Sequence, residues 1–408
     1  MKTRFWVILF FAALLSVTAN ADNVFRLLRK GDTFQVGDRI IIVDTTAHKA
    51  IAQRETQGLV VGVDLGEVHD SISLADDSPI AVFTLEHCQS GYYLRNKKEL
   101  YLNVINKNKR ILYLTRYPSD INNSQVFLSD SSVYLVAAKS YLCWNSSKKY
   151  FNYSKTLSPL CIYRCACPEV TIDGEDVNAD NSSILSKYKN QYVNLTVKRK
   201  FVENGGYYTL TLPFFLNSRD ADYYFGGNKL CNISIYKGNN VINVYFCHPN
   251  SFWTNEAGYP CALNWTKGNV EQITFRGVCI ESPTPNTIES EKMDEGVFKC
   301  VGIYDPTDIY TPSKVTRYLG GANGTTMLKT PKSGSGKLKG LRAYFVYPSS
   351  ASVVKVSSQG VADGIARIDG ELLQPSDDSW YSLQGMRLSG RPSLPGLYIH
   401  HGRKYIVR

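Results

Sequence analysis

"GYYLRNKKELYLNVINKNKRILYL", residues 91–114, contains three short runs of aromatic and branched apolar residues, separated by the charged, Asn-bearing breaks "RNKKE" and "NKNKR". Runs of this length and composition predict strands, and the breaks predict turns. The stretch does not stand alone. "DRIIIVDTTAHKAIAQ" from residue 38 and "SVYLVAAKSYLCWNSSKKYFNYS" from residue 132 repeat the order of strand, turn and second strand with a bulky apolar residue. The second and third segments close on "SQVFL" and "PLCIYR". Three related segments of about 40–50 residues, none able to bury its own apolar face, imply a closed threefold β-architecture. The expectation for residues 22–167 is therefore a β-trefoil-like domain.

The same signals run through the rest of the chain, in "YVNLTVKRKF", "GYYTLTLPFFL", "VINVYF", "QITFRGVCI" and "RAYFVY". No stretch sustains a long 3.6-residue apolar period, although "DADYYFGG" (220–227) suits one short helix. The fold class is all-β. The polar, breaker-rich stretch 168–191 reads as a linker, and regularly spaced strands over 192–350 predict a central β-sandwich. Residues 351–379, poor in aromatics, read as a second linker. A short C-terminal β-hairpin tail is expected over 380–408. Tyr381 and Leu383 would face Gly396–Ile399 across a turn at Gly390 and Pro392, and "HGRK" would turn the chain into a last strand.

Residues 1–21 carry the pattern of a secretory signal peptide. Lys2 and Arg4 precede the apolar run "FWVILFFAALLSV", and Ala19-Asn20-Ala21 predicts cleavage between Ala21 and Asp22. No later stretch is apolar enough to span a bilayer. The formal net charge of +10 includes Lys2 and Arg4. Arg387, Arg391, Arg403, Lys404 and Arg408 gather in the tail, with no acid after Asp378. A local basic tail of this kind is not the aromatic-interleaved stripe of a nucleic-acid binder, so no nucleic-acid partner is expected.

All ten cysteines lie between residues 88 and 300. In an exported chain an even count predicts disulfides of unspecified connectivity, with Cys143, Cys161, Cys165, Cys167, Cys231, Cys247, Cys261 and Cys279 as candidates. The cluster Cys161-x3-Cys165-x-Cys167 lacks the paired arms and nearby His of a zinc site, so no metal is expected. Asn-x-Ser/Thr sequons at positions such as Asn145, Asn181 and Asn194 would carry glycans in a eukaryotic or viral secreted chain.

A catalytic set is hard to find. Six histidines are present, and His248 follows Cys247 directly, so on a strand the two point to opposite faces. "SGSGKLKG" (333–340) has Leu338 where a phosphate loop needs Ser or Thr. "VDLGEVHDSISLADDS" (63–78) gathers carboxylates without the register of a calcium loop. No cofactor is implied. Aromatic rings are plentiful instead, and "YLCWNSSKKYFNY" (141–153) is the richest patch. Tyr141, Trp144, Asn145 and Tyr150 are the candidate ligand-binding residues, since exposed rings beside Asn suit sugar faces or a partner surface.

Several segments together resemble secreted modular proteins of Bacteroidota, Prevotella and Bacteroides relatives especially. They are "KGDTFQVGDRIIIVDTTAHKAIA", "SPLCIYR", "LTVKRKFVENGGYYTLTLPFFLN", "QITFRGVCI", "KLKGLRAYFVYP" and "WYSLQGMRLSGRPSLPGLYIHHGRKYIVR". The last is similar to the short sorting tails associated with type IX secretion and outer-membrane attachment. "EAGYPCALNW" (256–265) departs from the group's pattern, with Cys261 where an aromatic is usual. The resemblance implies an exported protein of the bacterial cell surface, and with no convincing catalytic set in the sequence the expectation is a non-enzymatic one. Its expected role is adhesion or binding of a glycan or host surface protein, with secretion machinery as partner through the tail. The alternatives are a secreted hydrolase or protease inhibitor without a recognisable motif, and a structural surface-layer protein.

Overall fold

The computed structural model describes residues 24–357 apart from breaks at 76, 89, 107–109, 118–123, 159, 204–205, 239–240, 248–253, 293–295, 314, 321–326, 335 and 349–353, and then 380–382, 396–400 and 403–407. The expected signal peptide with Ala21 and Asp22, His248 and most of the 351–379 stretch lie outside the described residues. The chain is all-β. The described residues divide into two compact units, one within 1–170 with 190–195 and 275–279, the other within 171–189, 196–274 and 280–408.

In the first unit fourteen strands form one sheet system. The strand Arg39–Asp44 shows why it holds together. All six residues are buried, and they alternate between two apolar clusters: Ile40 and Ile42 join Phe83, Leu94, Leu142 and Phe151, while Ile41 and Val43 join Phe25, Ala50 and Tyr163. A strand apolar on both faces is what a continuous run such as "IIIV" codes for. Val24–Leu27 pairs antiparallel with Cys161–Cys165, which also pairs with Arg39–Asp44, so the two ends of the unit meet.

Each of the three quoted segments opens or holds a set of three strands: Arg39–Asp44 and Lys49–Ile51, followed past the quoted residues by Gly62–Asp64; Gly91–Asn96, Tyr101–Asn106 and Ile111–Thr115; Ser132–Leu135, Ser140–Asn145 and Tyr150–Ser154. In the turn before each second strand stands a non-glycine residue in the left-handed region: His48 (φ 55°), Glu99 (φ 60°) and Lys139 (φ 46°). Such a conformation is uncommon outside glycine, and its recurrence shows the turns are built alike. The Asn96 carboxamide stabilises the middle turn, accepting from Lys98 N (2.9 Å) and Leu100 N (3.1 Å).

In the second unit one five-stranded sheet orders Tyr207–Thr211, Pro260–Asn264, Lys229–Gly238, Val241–Cys247 and Val354–Ser357, the last pair parallel. Another, antiparallel throughout, orders Thr287–Glu289, Lys299–Ile303, Arg342–Val346, Thr316–Gly320 and Met327–Lys329. A single apolar cluster takes Cys231, Ile233, Val244, Phe246 and Ala262 from the first sheet and Cys300, Ala343 and Phe345 from the second, together with the fully buried Phe298. The Thr209 hydroxyl clips the two together, donating to Ala343 O (3.2 Å) and accepting from Ala343 N (3.0 Å).

The stretch 168–191 is not a bare linker. It carries the strand Glu169–Asp173 and a helix Asn181–Lys187, capped by the Asp180 side chain, which accepts from Ser183 N. Its polar residues do structural work that composition alone hides. The buried Asn181 carboxamide accepts from Asp173 N and donates to Asp173 O and Tyr304 O, at 2.8–2.9 Å. The short helix of the 220–227 region runs Ser218–Tyr224, and Gly226 and Gly227 follow it with positive φ, as helix ends favour. In the tail, Trp380–Ser382, Gly396–His400 and Arg403–Val407 form an antiparallel sheet with Tyr381 opposite Ile399 and His400 opposite Arg403. No helix among the described residues is long and apolar enough to cross a membrane.

The disulfide expectation is corrected. No disulfide forms among the nine cysteines whose side chains are described; that of Cys247 is outside them. The register gives the reason for the deepest pair. Cys231 lies opposite Ala262 and Cys261 opposite Asn232, one position out of step, so their side chains leave opposite faces of the sheet. Elsewhere the thiols serve as weak donors: Cys167 Sγ to Cys165 Sγ (3.0 Å), Cys161 Sγ to Thr45 Oγ1 (3.9 Å) and Cys143 Sγ to Asn152 Oδ1 (2.9 Å). Burial pushes the Cys143, Cys261 and Cys300 thiols up, which keeps them protonated and unreactive.

Candidate ligand-binding surface

Three neighbouring strands of the first unit, Val126–Ser129, Ser132–Leu135 and Ser140–Asn145, alternate in the way that makes a two-faced sheet. Val126, Val133, Leu135 and Leu142 are buried in the main cluster. The positions between them place Phe127 opposite Tyr134 and Tyr134 opposite Tyr141. Their rings form a ladder, Phe127 stacked on Tyr134 with centroids 6.4 Å apart and Tyr134 edge-on to Tyr141 at 5.2 Å. Phe127 is 45% exposed, and both tyrosines are half-buried. Cross-strand aromatic pairs stabilise a sheet modestly, so the ladder repays part of the cost of leaving rings in water.

Of the four residues expected to form one patch, Asn145 lies directly opposite Tyr150 and shares its sheet face with Tyr141, while Trp144 does not. Tyr141 belongs to the outward ladder. Trp144, three positions on, lies on the other side of the strand. It packs against the main cluster, with the Phe151 ring 5.2 Å away and Lys49 Nζ 5.9 Å from its centroid. Room for it exists because residue 62 is glycine; a Cβ there would come within 2.7 Å of the indole. Asn145 serves the hairpin turn, its Oδ1 accepting from Lys148 N (3.0 Å) and Ser147 Oγ (2.8 Å). Tyr150 is buried in the core. Phe127 and Tyr134 extend the face that carries Tyr141, and composition did not single them out. The signal that finds them is register: 127, 134 and 141 are cross-strand neighbours once the two tight turns are set.

The acidic stretch 63–78 is dispersed into surface pairs, with Lys49 Nζ on Asp64, Arg29 on Asp70 at 3.3 Å and His69 on Glu67 at 3.5 Å. Among the described residues no cluster of three or more His, Cys, Asp or Glu side chains is placed to hold a metal. Two sequon asparagines, Asn181 and Asn194, are buried and engaged in hydrogen bonds, which leaves no room for a glycan at either position on the folded chain.

No protein-family model matches the chain, and no curated protein matches it. Among solved structures, part of it is similar to the GlcNAcα1-4Gal-releasing endo-β-galactosidase of Clostridium perfringens, at 14% identity and a TM-score of 0.26, over 31% of this chain and 32% of that one. Part is similar to the lysenin pore, at 12% identity and a TM-score of 0.23, over 35% of this chain and 47% of that one. The chain thus spans less than half the length of either. Function has to be argued from its own residues.

Proposed function

We propose that this chain is a non-enzymatic binding protein of the cell exterior whose ligand is a glycan, received on the face carrying Phe127, Tyr134 and Tyr141. One observation carries the reading: three aromatic rings in a row on an outward sheet face. Aromatic planes of this kind match the C–H faces of sugar rings. Export and surface attachment rest on the leader-like residues 1–21 and on the resemblance of 380–408 to bacterial sorting tails, through which secretion machinery would be the second partner. The trefoil-like reading of 22–167 draws support from the recurring left-handed turn residues. The sandwich reading of 192–350 draws support from the apolar cluster shared by its two sheets.

A glycan array probed with the wild-type chain and with Tyr134→Ala tests the ligand. Binding above background that is lost in Tyr134→Ala and kept in Trp144→Phe is the expected result. An array with no binding by the wild type, or equal binding by Tyr134→Ala, removes the proposal. Deleting residues 380–408 tests the address: loss of surface display with unchanged thermal stability is expected, and unchanged display with lower stability would make the tail a structural cap.

A further inference from the structure

The second unit contains a cavity of about 360 Å³ whose wall includes Arg199, Lys337, Lys339 and Arg342 with the rings of Tyr208 and Tyr318. Arg199 stands near the end of the strand Tyr192–Phe201 and is 1% exposed. One of its terminal nitrogens donates to the Leu341 carbonyl, and the Phe201 ring lies 5.1 Å from its guanidinium carbon. Its Nε is buried without any hydrogen-bond partner.

No carboxylate among the described residues pairs with this guanidinium. The acid that acts on it is Glu175, whose oxygens are already engaged. Oε1 takes Arg342 Nη2 at 2.8 Å and the Lys200 backbone N–H at 3.2 Å, and Oε2 takes Lys339 Nζ at 2.8 Å. One carboxylate thus sits among three cations, and Lys337 adds a fourth at the exposed edge. Burial, and then the Arg342 charge, weigh against the charged form of Arg199. A buried cation in such surroundings is costly unless an anion completes it.

The loop that carries the lysines is held in place. Thr307 and Leu338 exchange backbone hydrogen bonds at 2.9 and 2.8 Å, which sets Lys337 and Lys339 on either side of a pinned residue. The stretch 336–340 leads into the strand Arg342–Val346 rather than into a helix. It delivers two ammonium groups to the cavity wall. The cavity volume falls at the small end of the range for small-molecule sites, and tyrosine rings beside basic groups suit a ring-bearing acid.

We infer that this cavity is an oxyanion site that takes a carboxylate or sulfate group borne on a small sugar, with Arg199 as its fixed buried donor and Lys337 as its outer charge. A guanidinium offers paired N–H donors to such groups, and no group of the chain engages the Arg199 Nε–H. The inference does not depend on the aromatic face of the first unit.

Isothermal titration of the intact chain with glucuronate, glucose 6-sulfate, inorganic sulfate and glucose tests it. Saturable binding of the acidic sugars, with none of glucose, is expected. Affinity should fall about tenfold or more in Arg199→Met, the scale of a lost charge-assisted hydrogen bond. It should fall several-fold in Lys337→Glu, and progressively as salt is raised. Tighter binding of the acidic sugars than of inorganic sulfate would assign the sugar-borne group, and equal binding the free anion. If Arg199→Met does not fold, Lys337→Glu and the salt series decide. Absence of saturable binding by all three anions overturns the inference, as does glucose binding as well as glucuronate, or affinity unchanged in Lys337→Glu and across the salt series.

Discussion

Arg95 and Arg199 are largely or fully buried guanidiniums, one in each unit, and their surroundings complete them in opposite ways. Arg95 meets Glu86 and Glu99, and Glu86, itself fully buried, also accepts from the Tyr101 hydroxyl at 2.9 Å. Burial works against the Arg95 charge, yet the Glu86 and Glu99 carboxylates outweigh it and raise its pKa. Arg199 has a backbone carbonyl, a ring and a surplus of like charge. The first arrangement is closed and structural. The second borders a cavity and leaves its Nε without a partner. A perturbed arginine marks a site only when its partners have been counted.

Three experiments would break or sharpen that contrast. The largest effect is expected from Glu86→Gln, which leaves Arg95 buried without its main partner. Removing one member of a buried pair typically costs about 3–5 kcal/mol, so urea unfolding should show a loss near that size. A loss under about 1 kcal/mol would mean that the pair is not structural.

Next comes Glu175. Burial alone would raise its pKa, but the Lys339 and Arg342 contacts outweigh this and hold it at about 2, against an ordinary 4.5. A folded-state value below the unfolded one stabilises the protein above the unfolded pKa, and that stability is lost as pH falls from about 4.5 toward 2. Thermal unfolding followed between those limits should fall more steeply in the wild type than in Glu175→Gln. Parallel curves would contradict the assigned contacts.

The smallest effect belongs to Arg199→Met. It removes a charge with no ionic partner and leaves an apolar chain beside Phe201, so stability should change by less than about 1 kcal/mol, or rise. A loss as large as that of Glu86→Gln would place the two arginines in the same structural class and end the comparison.

Much of the fold was legible along the chain because strands write themselves locally. "DRIIIV", "SSVYLV" and "RAYFVY" became strands, and the breaks between them became turns. The aromatic patch was legible only in part. The run 141–153 points to Tyr141, but its neighbours on the outward face come from separate strands, and Trp144 turns inward where Gly62 leaves space for it. The cysteines misled for the same reason. An exported context favours bridges, whereas bridging needs two Cβ atoms on one face at short range, and register denies that to Cys231 and Cys261.

The polar stretch 168–191 shows the limit from the other side. Asp173, Asp180 and Asn181 looked like linker residues, and they satisfy backbone groups of a strand and a helix.

By itself the sequence determined the pleated class and many of the turns, since alternation and turn chemistry act within a few residues. Tertiary structure alone decided which rings face outward, which thiols are kept apart and which charges gather. Arg199 meets Leu341 across 142 positions, and Glu175 meets Arg342 across 167. Contacts at such separations depend on how distant strands align, and no local pattern records that alignment.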